Sequence, residues 1–357
     1  MIGTLVKNKT IPVEKYNIGP QNQPFVIAEM SGNHNGSLER ALKIVDMVAE
    51  SGAQAIKLQT YTPDTMTINI NENDFHIGDK SSLWEGKSLY KLYEEAQTPW
   101  EWHKPIFESA RKHGLVAFSS PFDVTAVDFL ESLNVSIYKI ASAELVDLNL
   151  IQRVAQTKKP MIMSTGMANI AEIHEAVNMA RSNGCPYIIL LKCTATYPAT
   201  PDESNLNSIP VMREVFDVQI GLSDHTLGIG AAIAAVAVGA TVVEKHVTLA
   251  RADGGVDSAF SLEPHELKML VSATKVAQLA MGTTYIGPTS AELKSLKFRR
   301  SLYAVEDIMA GQLLTEKNVR AIRPGLGLPP KDFSIVLGRK VKFDIKRGTA
   351  INWKLID

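Results

Sequence analysis

Ile220-Gly-Leu-Ser-Asp-His-Thr-Leu-Gly-Ile-Gly230, followed by Thr241-Val-Val-Glu-Lys-His246, decides the fold. Each half reads as a short apolar strand that stops on a histidine, and the small and apolar residues between them read as a helix packed on both. A strand, helix, strand unit of this kind brings two imidazoles to one end of a parallel sheet. His225 and His246 are therefore candidate metal ligands, distant in sequence and close in space, with Ser223, Asp224, Glu244 and Lys245 beside them. A lone strand-end histidine is ordinarily a hydrogen-bonded core residue; the pair argues for more.

Working outward, the same pattern repeats. Apolar runs fall at Phe25-Met30, Ala55-Gln59, Leu115-Ser119, Ile137-Ile140, Met161-Ser164, Tyr187-Lys192, Val218-Leu222 and Thr241-His246, with amphipathic stretches between most of them. Eight such βα units closing on themselves predict an α/β fold, the (β/α)8 TIM barrel. The long interval before Leu115 holds a polar segment, residues 64–86, read as an inserted loop over the barrel mouth. Ahead of the first run, Thr4-Val6 and Tyr16-Ile18 predict a hairpin closing the bottom of the barrel. Residues 1–282 are assigned to this catalytic barrel, 283–297 to a linker and 298–357 to a separate small domain.

Composition limits what the barrel can be for. The chain has 357 residues, 45% of them hydrophobic, enough for a large core plus a small second one. Lysine and arginine total 37 against 38 acids, so net charge argues for neither nucleic acid nor an anionic membrane as partner. No apolar run is long enough to span a bilayer and residues 1–20 lack a signal-peptide core, which makes a cytoplasmic location the expectation. Cys185 and Cys193 are read as buried thiols without a catalytic role.

A barrel carries its active site at the carboxyl ends of its strands. Those ends read Glu29 with Ser31-Gly-Asn-His-Asn-Gly36, then Lys57 and Gln59, Ser119-Ser120, Lys139 with Ser142 and Glu144, Ser164-Thr-Gly166, Lys192 with Thr194 and Tyr197, and the two histidines. Lysines and serines around one centre suit a phosphate or carboxylate cradle built without a P-loop. Two imidazoles with positions left open suit a divalent first-row ion that polarises a carbonyl. Glu29 and Glu144 are then available for proton handling. Two other readings compete: a class I aldolase using Lys57, Lys139 or Lys192 as a Schiff-base nucleophile, and a non-catalytic sugar-binding protein.

Six ordered motifs carry a resemblance: residues 25–36, Ala55-Ile-Lys-Leu-Gln-Thr60, Tyr138-Lys-Ile-Ala-Ser-Ala-Glu144, Met163-Ser-Thr-Gly-Met167, Gly221-Leu-Ser-Asp-His-Thr226 and Glu244-Lys-His246. Together they resemble the sialic acid synthase family. The resemblance implies transferases that condense phosphoenolpyruvate with an open-chain acetamido sugar, a manganese or magnesium ion, a C-terminal antifreeze-like (SAF) domain and a domain-swapped homodimer. It assigns Glu29, Glu144, His225 and His246 to catalysis, the two histidines also to the metal. Lys57, Gln59, Ser120, Lys139, Ser142, Ser164, Tyr197, Ser223, Asp257 and Arg323 go to the substrates, with Arg323 reaching the partner's sugar site. Residues 83–93, 98–102 and 251–261 are more similar to the pseudaminic branch than to the neuraminic one, the legionaminic and neuraminic sugars being the alternatives. Trp100, Trp102 and residues 251–261 are expected to select the sugar. Ala195 departs from the neuraminic pattern, which has an asparagine there, so that residue's role is not carried over.

The tail contains an internal echo, Asp307-Ile-Met-Ala-Gly311 and Asp344-Ile-Lys-Arg-Gly348. Two similar units predict a compact fold with approximate two-fold symmetry.

Overall fold

The computed structural model describes residues 10–80 and 82–357. The chain divides after Gly282 into two compact units, the second being Thr283–Asp357.

The first unit opens with a hairpin of β1 (Ile11–Val13) and β2 (Tyr16–Ile18), paired antiparallel. Its first strand is not the expected Thr4-Val6, which lies outside the described residues. Tyr16 packs edge-on against Phe25 at 5.8 Å, and its hydroxyl donates to the Gly114 carbonyl, so the hairpin lies at the amino-terminal ends of the barrel strands.

Among the described residues the barrel strands are β3 (Phe25–Glu29), β4 (Ala55–Thr60), β5 (Val116–Pro121), β6 (Tyr138–Ile140), β7 (Met161–Ser164), β8 (Ile188–Cys193), β9 (Gln219–Asp224) and β10 (Val242–His246). They are ordered β5-β4-β3-β10-β9-β8-β7-β6, every ladder is parallel, and β5 lies alongside β6 to close the ring. Nearly every strand residue is buried, which is why the runs read as continuously apolar instead of alternating.

The outer layer comprises α1 (Leu38–Ser51), α2 (Pro63–Met66), α3 (Leu89–Ala96), α4 (Trp100–Lys112), α5 (Val124–Ser132), α6 (Leu148–Gln156), α7 (Ile170–Ser182), α8 (Ser208–Phe216), α9 (Gly230–Ala237) and α10 (Pro264–Met281). Their starts follow local chemistry. The Asn169 side chain accepts from the backbone of Ala171 and Glu172 while the Glu172 carboxylate accepts from Asn169 N–H, a capping box legible as Asn-x-x-Glu. Helix α9 is shorter than the apolar stretch predicted, since Gly228 and Gly239 both hold a left-handed φ at its flanks. Gly221 is required by close approach: a Cβ there would sit 2.5 Å from the Val242 carbonyl oxygen. Both cysteines are free and buried, and no helix of the described residues is long and apolar enough to cross a membrane.

In the second unit β11 (Ser301–Ala304) pairs antiparallel with β12 (Val319–Ile322), and a short α11 (Phe333–Val336) follows. The echoed segments pair with each other. Ile308 and Ile345 exchange both backbone hydrogen bonds at 2.8 Å; Asp307 accepts from Arg347 N–H and Asp344 from Ala310 N–H, each at 2.8 Å. Those reciprocal contacts are the two-fold relation that the repeated motif predicts.

Candidate active site

In-register neighbours in a parallel sheet share a face, so the ladders say which strand-end residues look into the barrel. Ser223 pairs with Glu244 and with Cys193, Glu29 pairs with Lys57 and His246, and Ser120 pairs with Gln59. Lys57 Nζ lies 2.9 Å from Glu29 and 3.5 Å from Glu244, and Lys139 Nζ lies 3.8 Å from Glu244, all four side chains no more than 5% exposed. Four buried ionic groups in a barrel core cost desolvation free energy that aliphatic packing would avoid, so the cluster points to function.

Its members hold protons unequally. Burial, together with the charge of Glu244, pushes Glu29 up to about 7 against the pull of Lys57. Burial would raise Glu244 too, but Lys139, Lys57 and His225 outweigh it and hold Glu244 below the ordinary carboxylate value. Burial would lower Lys57, yet Glu244 and Glu29 keep it above its usual value, while burial pulls Lys139 down. The floor therefore carries an ionised Glu244, a firmly charged Lys57 and a Glu29 that exchanges its proton near neutrality.

The serines ring this floor. Ser120 Oγ accepts from Lys57 Nζ at 3.1 Å, Ser223 Oγ lies 3.4 Å from Glu244, and Ser164 Oγ is buried without a partner among the described residues. Ser142 Oγ accepts from Gly166 N–H at 3.2 Å, an approach only glycine permits, because a Cβ at Gly166 would lie 2.8 Å from that oxygen.

Above the floor opens a cavity of about 370 Å³. Ser31, Gln59, Ser142, Glu144, Tyr197, His246 and Asp257 give it a polar side; Tyr61, Met66, Trp84, Leu92, Phe122 and Val256 give it an apolar one. Asp257 accepts from Ser31 Oγ at 2.5 Å and burial raises its carboxyl above the usual value; burial also raises Glu144. Ala195 lines the same space and brings no side-chain donor.

His246 lines the cavity and meets His225 behind it, the ring centroids 5.4 Å apart and both side chains buried. His225 Nδ1 lies 3.0 Å from the Thr194 carbonyl oxygen, which can only accept, so Nδ1 carries a proton. Burial would lower this imidazole, but its bond to Cys193 and that carbonyl hold it above its ordinary value. His246 Nδ1 is buried without a partner among the described residues, and burial holds this imidazole well below its ordinary value and hence neutral. No cluster of three or more histidine, cysteine or acidic residues suited to a metal occurs among the described residues. Two imidazoles in contact, His246 neutral and lining the cavity and His225 anchored through Nδ1, fit a divalent ion that takes its remaining ligands from water and substrate.

Several expectations change. Lys192, expected at the mouth, faces outward: β8 pairs it with Leu222, it lies beside Ile173 and Phe216, and its Nζ donates to the Cys193 carbonyl at 3.0 Å. Ser119 also faces out, bonded to Thr60 at 2.6 Å. Trp100 and Trp102 are not cavity residues; Trp100 stacks on Phe129 at 4.6 Å and Trp102 meets His34 edge-on at 5.6 Å. Trp84 of the inserted segment lines the cavity instead. Arg323 is exposed in the second unit. Cys193, which sequence assigns no catalytic role, turns into the barrel, where its sulfur accepts from Ser142 Oγ at 3.5 Å. Burial alone would raise this thiol; His225, Ser142 and Lys139 together hold it below its ordinary value.

With this geometry in place, comparison with known proteins is informative. The NeuB family profile matches residues 44–285 and the SAF domain profile matches residues 299–357. Pseudaminic acid synthase of Campylobacter jejuni is 44% identical over 94% of this chain and 97% of its own length, and pseudaminic acid synthase of Helicobacter pylori 44% over 92% and 96%. Among solved structures, N-acetylneuraminic acid synthetase from Leptospira borgpetersenii in complex with citrate superposes with a TM-score of 0.73 at 31% identity, covering 82% of this chain and 96% of that one. The chain is an enzyme of the NeuB family, the sialic acid synthase family that its strand-end motifs resemble, with a C-terminal SAF domain.

Proposed function

We infer that this enzyme acts as a pseudaminic acid synthase, a transferase that condenses phosphoenolpyruvate with 2,4-diacetamido-2,4,6-trideoxy-L-altrose and releases phosphate. The observation that carries the reading is the 44% identity with pseudaminic acid synthase along 94% of the chain, across both units.

Phosphoenolpyruvate is assigned to the barrel floor. Lys57 and Lys139 face its phosphate and carboxylate, Ser120, Ser142 and Ser223 donate to them, and the unpartnered Ser164 hydroxyl gains an acceptor. The sugar is assigned to the cavity, with Gln59, Tyr197 and Asp257 as polar contacts. A divalent manganese or magnesium ion held by His225 and His246 would supply Lewis acidity at the aldehyde. C3 of phosphoenolpyruvate then bonds to the aldehyde carbon. Glu29, titrating near neutrality, supplies the proton that the aldehyde oxygen takes up. The cation left at C2 takes water, Glu144 accepting one proton from it. The tetrahedral C2 expels phosphate with cleavage of the C2–O bond, and the remaining hydroxyl loses its proton to become the keto oxygen. By family resemblance, Arg323 reaches the sugar in the partner of a homodimer.

A Schiff-base aldolase draws support from one feature, the lowered ammonium of Lys139. An isotope experiment separates the two. Phosphoenolpyruvate labelled with 18O at its bridging oxygen should deliver the label to inorganic phosphate; label retained in the keto acid, or borohydride trapping of a sugar on lysine, would overturn the assignment.

A further inference from the structure

The two sides of the cavity divide its work. Trp84 comes from the insertion between β4 and α4, and its indole N–H donates to the Val256 carbonyl at 3.0 Å. With that donor committed, the ring presents only apolar surface to a ligand. Met66 and Leu92 of the same insertion, and Val256 opposite, extend that surface. With the indole N–H and the Val256 carbonyl paired to each other, the side chains of Trp84, Met66, Leu92 and Val256 offer a ligand hydroxyl no partner to replace its water.

Position adds the second argument. The Tyr197 ring lies 4.4 Å from His225 and 5.9 Å from Trp84, so it contacts both. That contact leaves room for an open-chain sugar, set with its aldehyde at His246, to pass Tyr197 with its far end toward Trp84, both rings lining the same cavity. We propose that Trp84, backed by Met66 and Val256, is a specificity-determining residue that receives the C6 methyl of a 6-deoxy sugar and disfavours the same sugar carrying a C6 hydroxyl. The reason is physical: a hydroxyl set against this wall loses its water and gains no partner, whereas a methyl loses nothing. The proposal rests on the reading above that the cavity takes the acetamido sugar, and it names the part of the insertion that makes the choice.

The test uses the intact enzyme and two probes that differ only at C6: the 2,4-diacetamido-2,4,6-trideoxy sugar and its 6-hydroxy analogue. In wild type, kcat/KM should favour the 6-deoxy sugar by about 10-fold or more, the usual yield of one apolar contact in such a pocket. Trp84→Ala should lose most of that ratio, while Trp84→Phe, which keeps an apolar ring, should retain most of it. Equal losses for both sugars in Trp84→Ala would mark the residue as structural, and an undiminished ratio would also overturn the proposal. Calorimetric titration of the two reduced, unreactive alditols gives a readout independent of turnover. Should wild type turn over neither sugar, the functional reading falls. A preference for the 6-deoxy alditol that Trp84→Ala removes would still uphold the wall, and equal binding of the two alditols would refute it.

Discussion

Replacing Lys245 by Met should destabilise the first unit by about 3–5 kcal/mol, the range for removing one partner of a buried ion pair. Lys245 and Asp224 face away from the barrel interior on β10 and β9, with side chains 0% and 1% exposed and 2.8 Å apart. The lysine also donates to the Thr226 carbonyl at 2.5 Å, so it ties the turn that carries His225 to the strand that carries His246. Methionine fills a similar volume and leaves the Asp224 charge stranded. One carboxylate oxygen keeps its bonds from Thr226 N–H at 2.9 Å and Thr226 Oγ1 at 2.8 Å. That residual solvation places the expected loss near the lower limit, about 3 kcal/mol. Scanning calorimetry should show the transition of the first unit falling by roughly 6 °C or more, at about 2 °C per kcal/mol for a domain of this size. The double variant Asp224→Asn/Lys245→Met should recover part of the loss, since no charge is then buried alone. A single-variant loss below about 1 kcal/mol, the value of an exposed pair, would refute the reasoning.

Two further outcomes are expected. His103, fully buried against Thr60, is lowered from 6.5 to about 4 by burial, so the folded state keeps it neutral while the unfolded state takes up a proton. Stability should therefore fall as pH drops from about 6.5 to about 4 and level off below, by about 3 kcal/mol for this group. Denaturant titrations of His103→Gln should show a shallower acid slope in that window; an unchanged slope would remove the assignment. His225→Ala and Arg323→Ala should each be nearly inactive, the first without rescue by added metal. Refolding the two chains together should restore about a quarter of the sites if Arg323 acts in the partner and subunits pair at random. Only summed parental activity, with mixed dimers shown to be present, would put Arg323 in its own chain or outside the site.

Much of this was legible in sequence, because barrel strands announce themselves. Each is a short apolar run that turns polar where it leaves the core, so the eight strands and the residues at their ends could be found by inspection. Which of two adjacent polar residues looks inward was harder. At Lys192-Cys193 the lysine was the natural choice for chemistry, yet pairing with Leu222 and Ser223 turns the lysine out and the cysteine in. Glu244 could have been found by the same rule: it stands two residues before His246 and so shares its face. The tryptophans misled for a different reason. Trp100 and Trp102 begin a helix and pack on its neighbours, whereas Trp84 sits in a polar loop and donates to the Val256 carbonyl, a contact 172 residues away in sequence that no local pattern predicts. The His225 to His246 pairing was legible because a strand, helix, strand unit fixes its two strand ends side by side.

The central claim is that the charged floor and the two imidazoles serve a phosphoenolpyruvate-dependent condensation with a 6-deoxy diacetamido sugar. The most direct measurement is phosphate release by the purified enzyme given a divalent ion, phosphoenolpyruvate and, in separate reactions, 2,4-diacetamido-2,4,6-trideoxy-L-altrose, its legionaminic counterpart and N-acetylmannosamine. The account predicts release that needs both substrates and the ion, is fastest with the first sugar, and matches mole for mole the nine-carbon keto acid formed. Release equal or faster with N-acetylmannosamine would contradict the sugar assignment, and no sugar-dependent release with any of the three would contradict the account itself.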